Sequence, residues 1–155
     1  MINIYQPSLG KEELKAIEKV FKSNWLGKGN LTEKFTENIS EKLNVDRGNV
    51  ETISCCTEGL FQSMNILNIG EGDEVIIPSI HFIGAINAIK SSGAKPVFCD
   101  VDKRTLNVTS YDIQEKITHK TKAVIILHYG GLPCEMDSIV RVCKQNKIKL
   151  IEDNA

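Results

Sequence analysis

Five short stretches of the sequence hold groups that can bind or react. The first is Ser54-Cys55-Cys56-Thr57-Glu58-Gly59, where small polar residues open a helical pattern. Backbone N–H groups left unpaired at such a helix start attract anions, and Thr57 adds a hydroxyl. The plainer reading is a Thr N-cap. The stretch has neither a Walker lysine pattern nor G-x-G-x-x-G, which argues against nucleoside triphosphates and dinucleotides. The second is Pro78-Ser79-Ile80-His81-Phe82. Taken alone, Phe82 reads as a core aromatic, and His81, like His128, as a hydrogen-bonded structural histidine. Asp100 and Asp102 form the third stretch and read as turn caps. The fourth is His128-Tyr129-Gly130-Gly131, and the fifth is Glu152-Asp153-Asn154. Asp153 is the most informative of these residues. It closes an apolar run, where a carboxylate is poorly solvated and wants a cationic partner. No Lys or Arg stands beside it in sequence, so the cation of a ligand suits it. The five cysteines, Cys55, Cys56, Cys99, Cys134 and Cys143, are an odd number without C-x-x-C spacing. Neighbours such as Cys55 and Cys56 are ill placed to ligate one tetrahedral zinc. They are expected to be small buried hydrophobes in a reducing compartment, with no metal site.

The elements that must position these groups follow from periodicity. Residues 11–22 put Leu14, Ile17, Val20 and Phe21 on one helical stripe. The glycines of Trp25-Leu26-Gly27-Lys28-Gly29 break that helix. A second helix is expected over about 31–43, with Phe35, Ile39 and Leu43 inward, followed by a turn at Asp46-Arg47-Gly48-Asn49. From residue 50 the rhythm changes to short β-rich runs, at 50–54, 74–77, 96–99, 123–128 and 149–152, alternating with helical patterns at 58–67, 82–91, 111–117 and 136–146. Such alternation implies right-handed crossovers and a mostly parallel sheet. The runs VIIP, AVIILH and KLIE are solidly apolar, as strands covered on both faces should be. The expected fold is therefore α/β, with two N-terminal helices followed by three layers, a mostly parallel sheet flanked by helices. In such sheets ligands bind at the carboxyl ends of the strands, and each of the five stretches follows a predicted strand. The last run ends the chain at a strand rather than a helix, which reads as an incomplete fold.

Composition narrows the function classes. In 155 residues, 19 Lys and Arg balance 20 Asp and Glu for a formal charge of −1, so nothing electrostatic points to nucleic acid or an anionic membrane surface. No apolar run reaches the ~20 residues of a membrane span. The first 30 residues turn charged at once, unlike a signal peptide, so a cytoplasmic location is expected.

Taken in order, several segments resemble the DegT/DnrJ/EryC1/StrS family of pyridoxal-phosphate enzymes, mostly sugar aminotransferases of fold type I. They are SNWLGKG at 23–29, IGEGDEVIIP at 69–78, GAKPVFCDVD at 93–102, TKAVI at 121–125, HYGGLPCEMD at 128–137 and EDNA at 152–155. The resemblance covers almost the whole chain. It implies that residues 1–48 form an N-terminal helical segment, and that 49–155 form the first part of a fold type I large domain that binds pyridoxal 5'-phosphate. It also assigns site residues: Cys56, Thr57 and the backbone of Glu58 in the turn that holds the cofactor phosphate, Phe82 stacked on the pyridine ring, and Asp153 paired with the pyridine nitrogen. Three positions depart from the family pattern: Cys56 where Gly is usual, His81 where Thr is commoner, and Asn154 in place of a small apolar residue.

The family's Schiff-base lysine falls downstream of the segment matched by 152–155, so no catalytic residue is expected in this chain and the chain alone is expected to be inactive. The implied parent moves an amino group from an amino-acid donor, glutamate, to a keto-sugar nucleotide, and works as a homodimer. A sugar dehydratase of the same family, and a non-catalytic binding or structural domain, are the alternatives.

Overall fold

The computed structural model describes residues 6–155, so the first five residues of the expected N-terminal segment lie outside the described residues. The chain forms two compact units that divide between Thr52 and Ile53.

The first unit contains α1 (Lys11–Lys22) and α2 (Asn30–Leu43), followed by a 3-10 turn at Arg47–Asn49. In α1, the Glu13 carboxylate accepts from Gly10 N at 2.6 Å. Acidic residues sit in its first turn and Lys19 and Lys22 in its last, as the helix dipole favours. Asn44 ends α2 in the left-handed region at φ 52°. Both helices match expectation, but the predicted inward face of α2 does not. Phe35 and Leu43 are 56% and 63% exposed, and the buried positions are Thr36 and Ser40. Their hydroxyls donate to carbonyls of their own helix, Thr36 Oγ1 to Thr32 O and Ser40 Oγ to Glu37 O, both at 2.8 Å. Short side chains satisfied in this way can be buried without a partner outside their own helix. Arg47 ties that turn to α2, donating to Glu33 Oε2 at 2.6 Å and to Val50 O at 3.0 Å.

The second unit is a four-stranded parallel sheet with helices on both faces. Its elements run α3 (Cys56–Ile66), β1 (Glu74–Pro78), α4 (Ile83–Ser91), β2 (Lys95–Cys99), α5 (Ser110–Gln114), β3 (Thr121–Leu127), α6 (Met136–Gln145) and β4 (Lys149–Asp153). The strand order is β2-β1-β3-β4, every pair is parallel, and the predicted α/β class holds. Alternation along the central strands splits the core in two. Val75, Ile77, Ala123 and Ile125 pack with Leu60 and Met64 of α3 and Ala85 and Ile89 of α4. Ile76, Val124 and Ile126 face the other way, onto Ile113, Ile139 and Cys143. The predicted run at 50–54 is the exception. It belongs to no strand of the sheet, and Ile53 is 46% exposed. Without a ladder partner among the described residues, a β-rich run stays extended but unpaired. The unit boundary falls inside it.

From β1 the chain moves outward to β2, then crosses back over β1 to reach β3 and continues to β4. The order therefore reverses between β1 and β3. Such a reversal opens a crevice at the carboxyl ends of the strands.

Candidate functional site

Cys55 caps α3 with no side-chain hydrogen bond to its amides. Ser54, which carries a suitable hydroxyl, is engaged elsewhere: its N and Oγ both donate to Glu58 Oε2, at 3.0 and 2.7 Å. Those two bonds hold the Glu58 carboxyl below its usual range and draw it back to the start of the helix. The Cys55 thiol lies against the Glu58 N–H, which, with the Ser54 hydroxyl and the Thr57 N–H, holds it below the ordinary thiol value. The Glu58 N–H also donates to Cys55 O at 3.1 Å; helix starts in general leave further first-turn N–H groups for an anion. Cys55 and Cys56 are both exposed, whereas Cys99, Cys134 and Cys143 are buried and free. The expectation of five buried cysteines therefore holds for three. Burial pushes the Cys99 thiol up to about 12.

Phe82 is the N-cap of α4 and is 57% exposed, not the core aromatic that its type suggests. Its ring rests against the α-carbon of Gly84. A Cβ at Gly84 would lie 2.5 Å from Phe82 Cε1, 2.8 Å from Cδ1 and 3.2 Å from Thr57 Cγ2. The missing side chain at Gly84 therefore lets the Phe82 ring and the Thr57 methyl both close on the space its Cβ would fill. Sequence reasoning missed Gly84, because nothing in a helical pattern marks which neighbour a glycine accommodates.

One residue along the chain from each of these, Cys56 and His81 meet Asp153. Asp153 is 3% exposed. Its Oδ1 accepts from Cys56 Sγ at 3.5 Å and from Ala155 N at 3.1 Å. Its Oδ2 lies 4.0 Å from Nε2 of His81, whose side chain is fully shielded from solvent. No Lys or Arg lies within ion-pair distance of Asp153 among the described residues. Burial, and then the Asp153 charge, pushes the Cys56 thiol up, so it stays a neutral donor. Burial pulls the His81 imidazole below its ordinary value, against the opposing pull of the Phe82 carbonyl and Asp153.

The other candidates are structural. His128 Nδ1 accepts from Cys134 N at 3.0 Å, and Nε2 lies 3.4 Å from Glu152 Oε2, so both ring nitrogens are engaged. Asp102 Oδ1 accepts from Arg104 N and Thr105 N, both at 2.9 Å, and Asp100 from Val101 N at 2.9 Å. Both are the turn caps expected of them. A cleft lined by Ser79, Asp100, Asp112 and Lys116 opens at the end of β2, and it includes none of Thr57, Phe82 or Asp153.

The site therefore brings together an exposed aromatic face, the start of a helix and a buried carboxylate without a Lys or Arg partner among the described residues. Those three features fit a planar ring bearing a phosphate and a protonated nitrogen.

The model of the DegT/DnrJ/EryC1/StrS aminotransferase family matches residues 7–155. A dTDP-4-dehydro-2,3,6-trideoxy-D-glucose 4-aminotransferase of Saccharopolyspora spinosa is 50% identical over 155 residues, which are 100% of this chain and 40% of the relative. Among solved structures, the aminotransferase TlmJ from Streptoalloteichus hindustanus matches with a TM-score of 0.96 at 51% identity, over 100% of this chain and 42% of that one. NtdA from Bacillus subtilis, solved with bound cofactor PMP, matches with a TM-score of 0.79 at 26% identity, over 90% of this chain and 32% of that one. The chain thus spans about two fifths of the length of the first two.

Proposed function

This chain belongs to the DegT/DnrJ/EryC1/StrS aminotransferase family, and from that membership we propose that it is the N-terminal part of a pyridoxal-phosphate enzyme. The enzyme transfers an amino group from glutamate to a keto-sugar nucleotide. In this reading residues 1–48 are its N-terminal helical segment and 49–155 begin its cofactor-binding domain. The whole enzyme works in the cytoplasm as a homodimer.

The observation that carries the proposal is Asp153, 3% exposed and without a Lys or Arg partner among the described residues. A buried carboxylate left so is costly unless a cation joins it. When bound, the cofactor supplies an electron sink for chemistry at the carbon bearing the amino group. Asp153 keeps the ring nitrogen protonated, because a neighbouring negative charge favours the cationic form. Cys56 and the Ala155 amide hold that carboxylate by Oδ1, which leaves Oδ2 for the ring. Phe82 offers its exposed face to the ring plane. Thr57, with the first-turn amides of α3 at Cys56 and Glu58, holds the phosphate. The lysine that tethers the cofactor lies outside these 155 residues, so this chain by itself turns nothing over.

The full-length protein should be incubated with pyridoxal phosphate, glutamate and a panel of 3-keto and 4-keto sugar nucleotides, with the 155-residue chain in parallel. Amino-sugar formation by the full-length protein alone is expected. Dehydration without amination would move the reading to a sugar dehydratase. Absence of both, with no cofactor retained, would refute it.

A further inference from the structure

The His81 imidazole is the one buried side chain among the described residues with a polar atom left unpaired. Its side chain has no solvent exposure, and Nε2 is buried without a hydrogen-bond partner. The other ring nitrogen, Nδ1, lies 3.3 Å from Phe82 O. A carbonyl only accepts, so Nδ1 carries the proton and Nε2 of the neutral ring presents a lone pair. That lone pair faces Asp153 Oδ2 at 4.0 Å, another acceptor. Two buried acceptors turned toward each other are unfavourable for the protein alone, because each lacks the donor it needs.

We propose that His81 is a further cofactor-binding residue, its Nε2 joining Asp153 Oδ2 in a two-acceptor seat for a protonated heteroaromatic nitrogen. The inference rests on the pyridoxal-phosphate reading given above and adds a residue that the reading did not contain. Two acceptors 4.0 Å apart lie within reach of one donor atom at about 2.9 Å from each, and because Nε2 is buried, admitting that atom requires neighbouring side chains to give way. The N–H aims at the carboxylate, the stronger acceptor because it is charged. The imidazole lone pair adds partial negative charge beside the same proton. The Nδ1 bond to Phe82 O serves the seat in a second way, since it fixes the tautomer and ties the imidazole to the residue whose ring covers the cofactor. The charged group facing His81 is Asp153 from β4, whose other oxygen accepts from the neutral Cys56 thiol at the start of α3. If His81 gained a proton, Nε2 would turn from acceptor to donor and compete for Oδ2. Burial opposes that change.

The test uses the full-length holoenzyme loaded with cofactor carrying 15N at the ring nitrogen, whose chemical shift reports its protonation. In the wild type, with histidines also labelled, Nε2 of His81 should be unprotonated once cofactor is bound. His81→Phe keeps a flat ring without the lone pair. His81→Asn keeps a donor near Phe82 O but nothing at the Nε2 position, and guards against a folding defect in the first variant. Both should lower the pH at which the ring nitrogen loses its proton by about one unit, a tenfold change in that equilibrium. Asp153→Asn should lower it further. If Asp153→Asn moves the ring nitrogen and both His81 variants leave it at the wild-type value, the His81 seat is refuted while the carboxylate reading stands. If Asp153→Asn also leaves it unmoved, the carboxylate reading fails and takes this inference with it. A proton on Nε2 in the holoenzyme would overturn the seat directly.

Discussion

Gly84→Ala should weaken cofactor binding without weakening the fold. The added methyl would stand 2.5 Å from Phe82 Cε1, 2.8 Å from Cδ1 and 3.2 Å from Thr57 Cγ2. Real Cβ atoms do not approach so closely, so one of these neighbours must move. Backbone and buried core resist displacement, whereas Phe82 is 57% exposed and can swing outward about its side-chain torsions. The ring should therefore yield while the Thr57 methyl gives only a few tenths of an ångström. Gly84 is the second residue of α4 and lies outside the left-handed region, so alanine costs the backbone nothing and raises helix propensity by up to about 1 kcal/mol. Stacking between aromatic rings is worth about 0.5–1.5 kcal/mol beyond area burial. Its loss corresponds to about a two- to tenfold rise in the cofactor Kd. The assay is equilibrium titration of the full-length apoenzyme with pyridoxal phosphate, paired with thermal unfolding of the same samples. Phe82→Ala supplies the control: if Gly84 acts only through that ring, Gly84→Ala should add nothing in the Phe82→Ala background. An unchanged Kd with unchanged stability would refute Phe82 as the platform. A loss of several degrees in Tm would show that the methyl displaces the core instead.

Three further outcomes are expected in the full-length protein. Asp153→Asn should cut turnover more than a hundredfold at saturating cofactor, because losing even ~3 kcal/mol in the transition state costs a factor of ten per 1.4 kcal/mol; a near-normal rate would mean that another carboxylate serves the ring. Ile126→Ala, at a position with no solvent exposure on β3, should destabilise by about 2–5 kcal/mol in denaturant unfolding, and a smaller loss would mean that the α5 and α6 face of the sheet collapses into the gap. Glu74 accepts from Thr118 Oγ1 at 2.6 Å and pairs with Lys95 Nζ at 3.4 Å, and the Thr118 bond above all holds its carboxyl below the ordinary value. That stabilisation is full above the unfolded-state value and disappears as pH falls through the lower folded value, so Glu74→Gln should cost about 1.5–3 kcal/mol near neutral pH and distinctly less near pH 3. Equal losses at both would refute the assignment.

What the sequence made legible depended on whether a residue's partner lay close by in the chain or across the fold. The runs VIIP and AVIIL read as doubly covered strands, and Val75–Ile77 and Ala123–Ile126 are fully buried in β1 and β3. Apolar side chains on both faces leave no other way to bury such a run. The run at 50–54 is β-rich but carries Glu51, Thr52 and Ser54, and it forms no strand, because a strand exists only when another edge pairs with it. Composition does not report that edge. The amphipathic stripe of α2 was legible as a helix signal, yet Thr36 and Ser40 are the residues that end up buried. Hydroxyls bonded to their own helix behave as small apolar groups, and a hydropathy pattern counts them as polar. In the candidate site, the poor solvation of Asp153 was readable from the apolar run before it. The division of the two histidines into a His128 with both nitrogens engaged and a His81 with Nε2 unpaired was not, since each follows a strand in the same way.

That division follows from strand order. In the order β2-β1-β3-β4, β3 lies between the strand that leads to His81 and the strand that ends in Asp153. Two strands separated by a third are about 10 Å apart. Ile76 pairs with Val124, and Ile126 with Glu152, so β1 stops at Pro78 about one residue short of the level of Asp153. Ser79 N still bonds to Cys99 O of β2 at 2.9 Å, and the chain then bends through Ile80 and His81, so it is the imidazole side chain that reaches past the end of β3 to the carboxylate. His128 leaves β3 itself, next to β4, with its backbone N bonded to Asp153 O at 3.4 Å, and its ring turns to Cys134 and Glu152 instead. The strand nearest in space to Asp153 thus contributes its backbone, and the strand beyond it contributes the side chain. A reversal in strand order therefore makes a site as well as a crevice: a side chain reaching across it can meet a carboxylate that its own strand never pairs with.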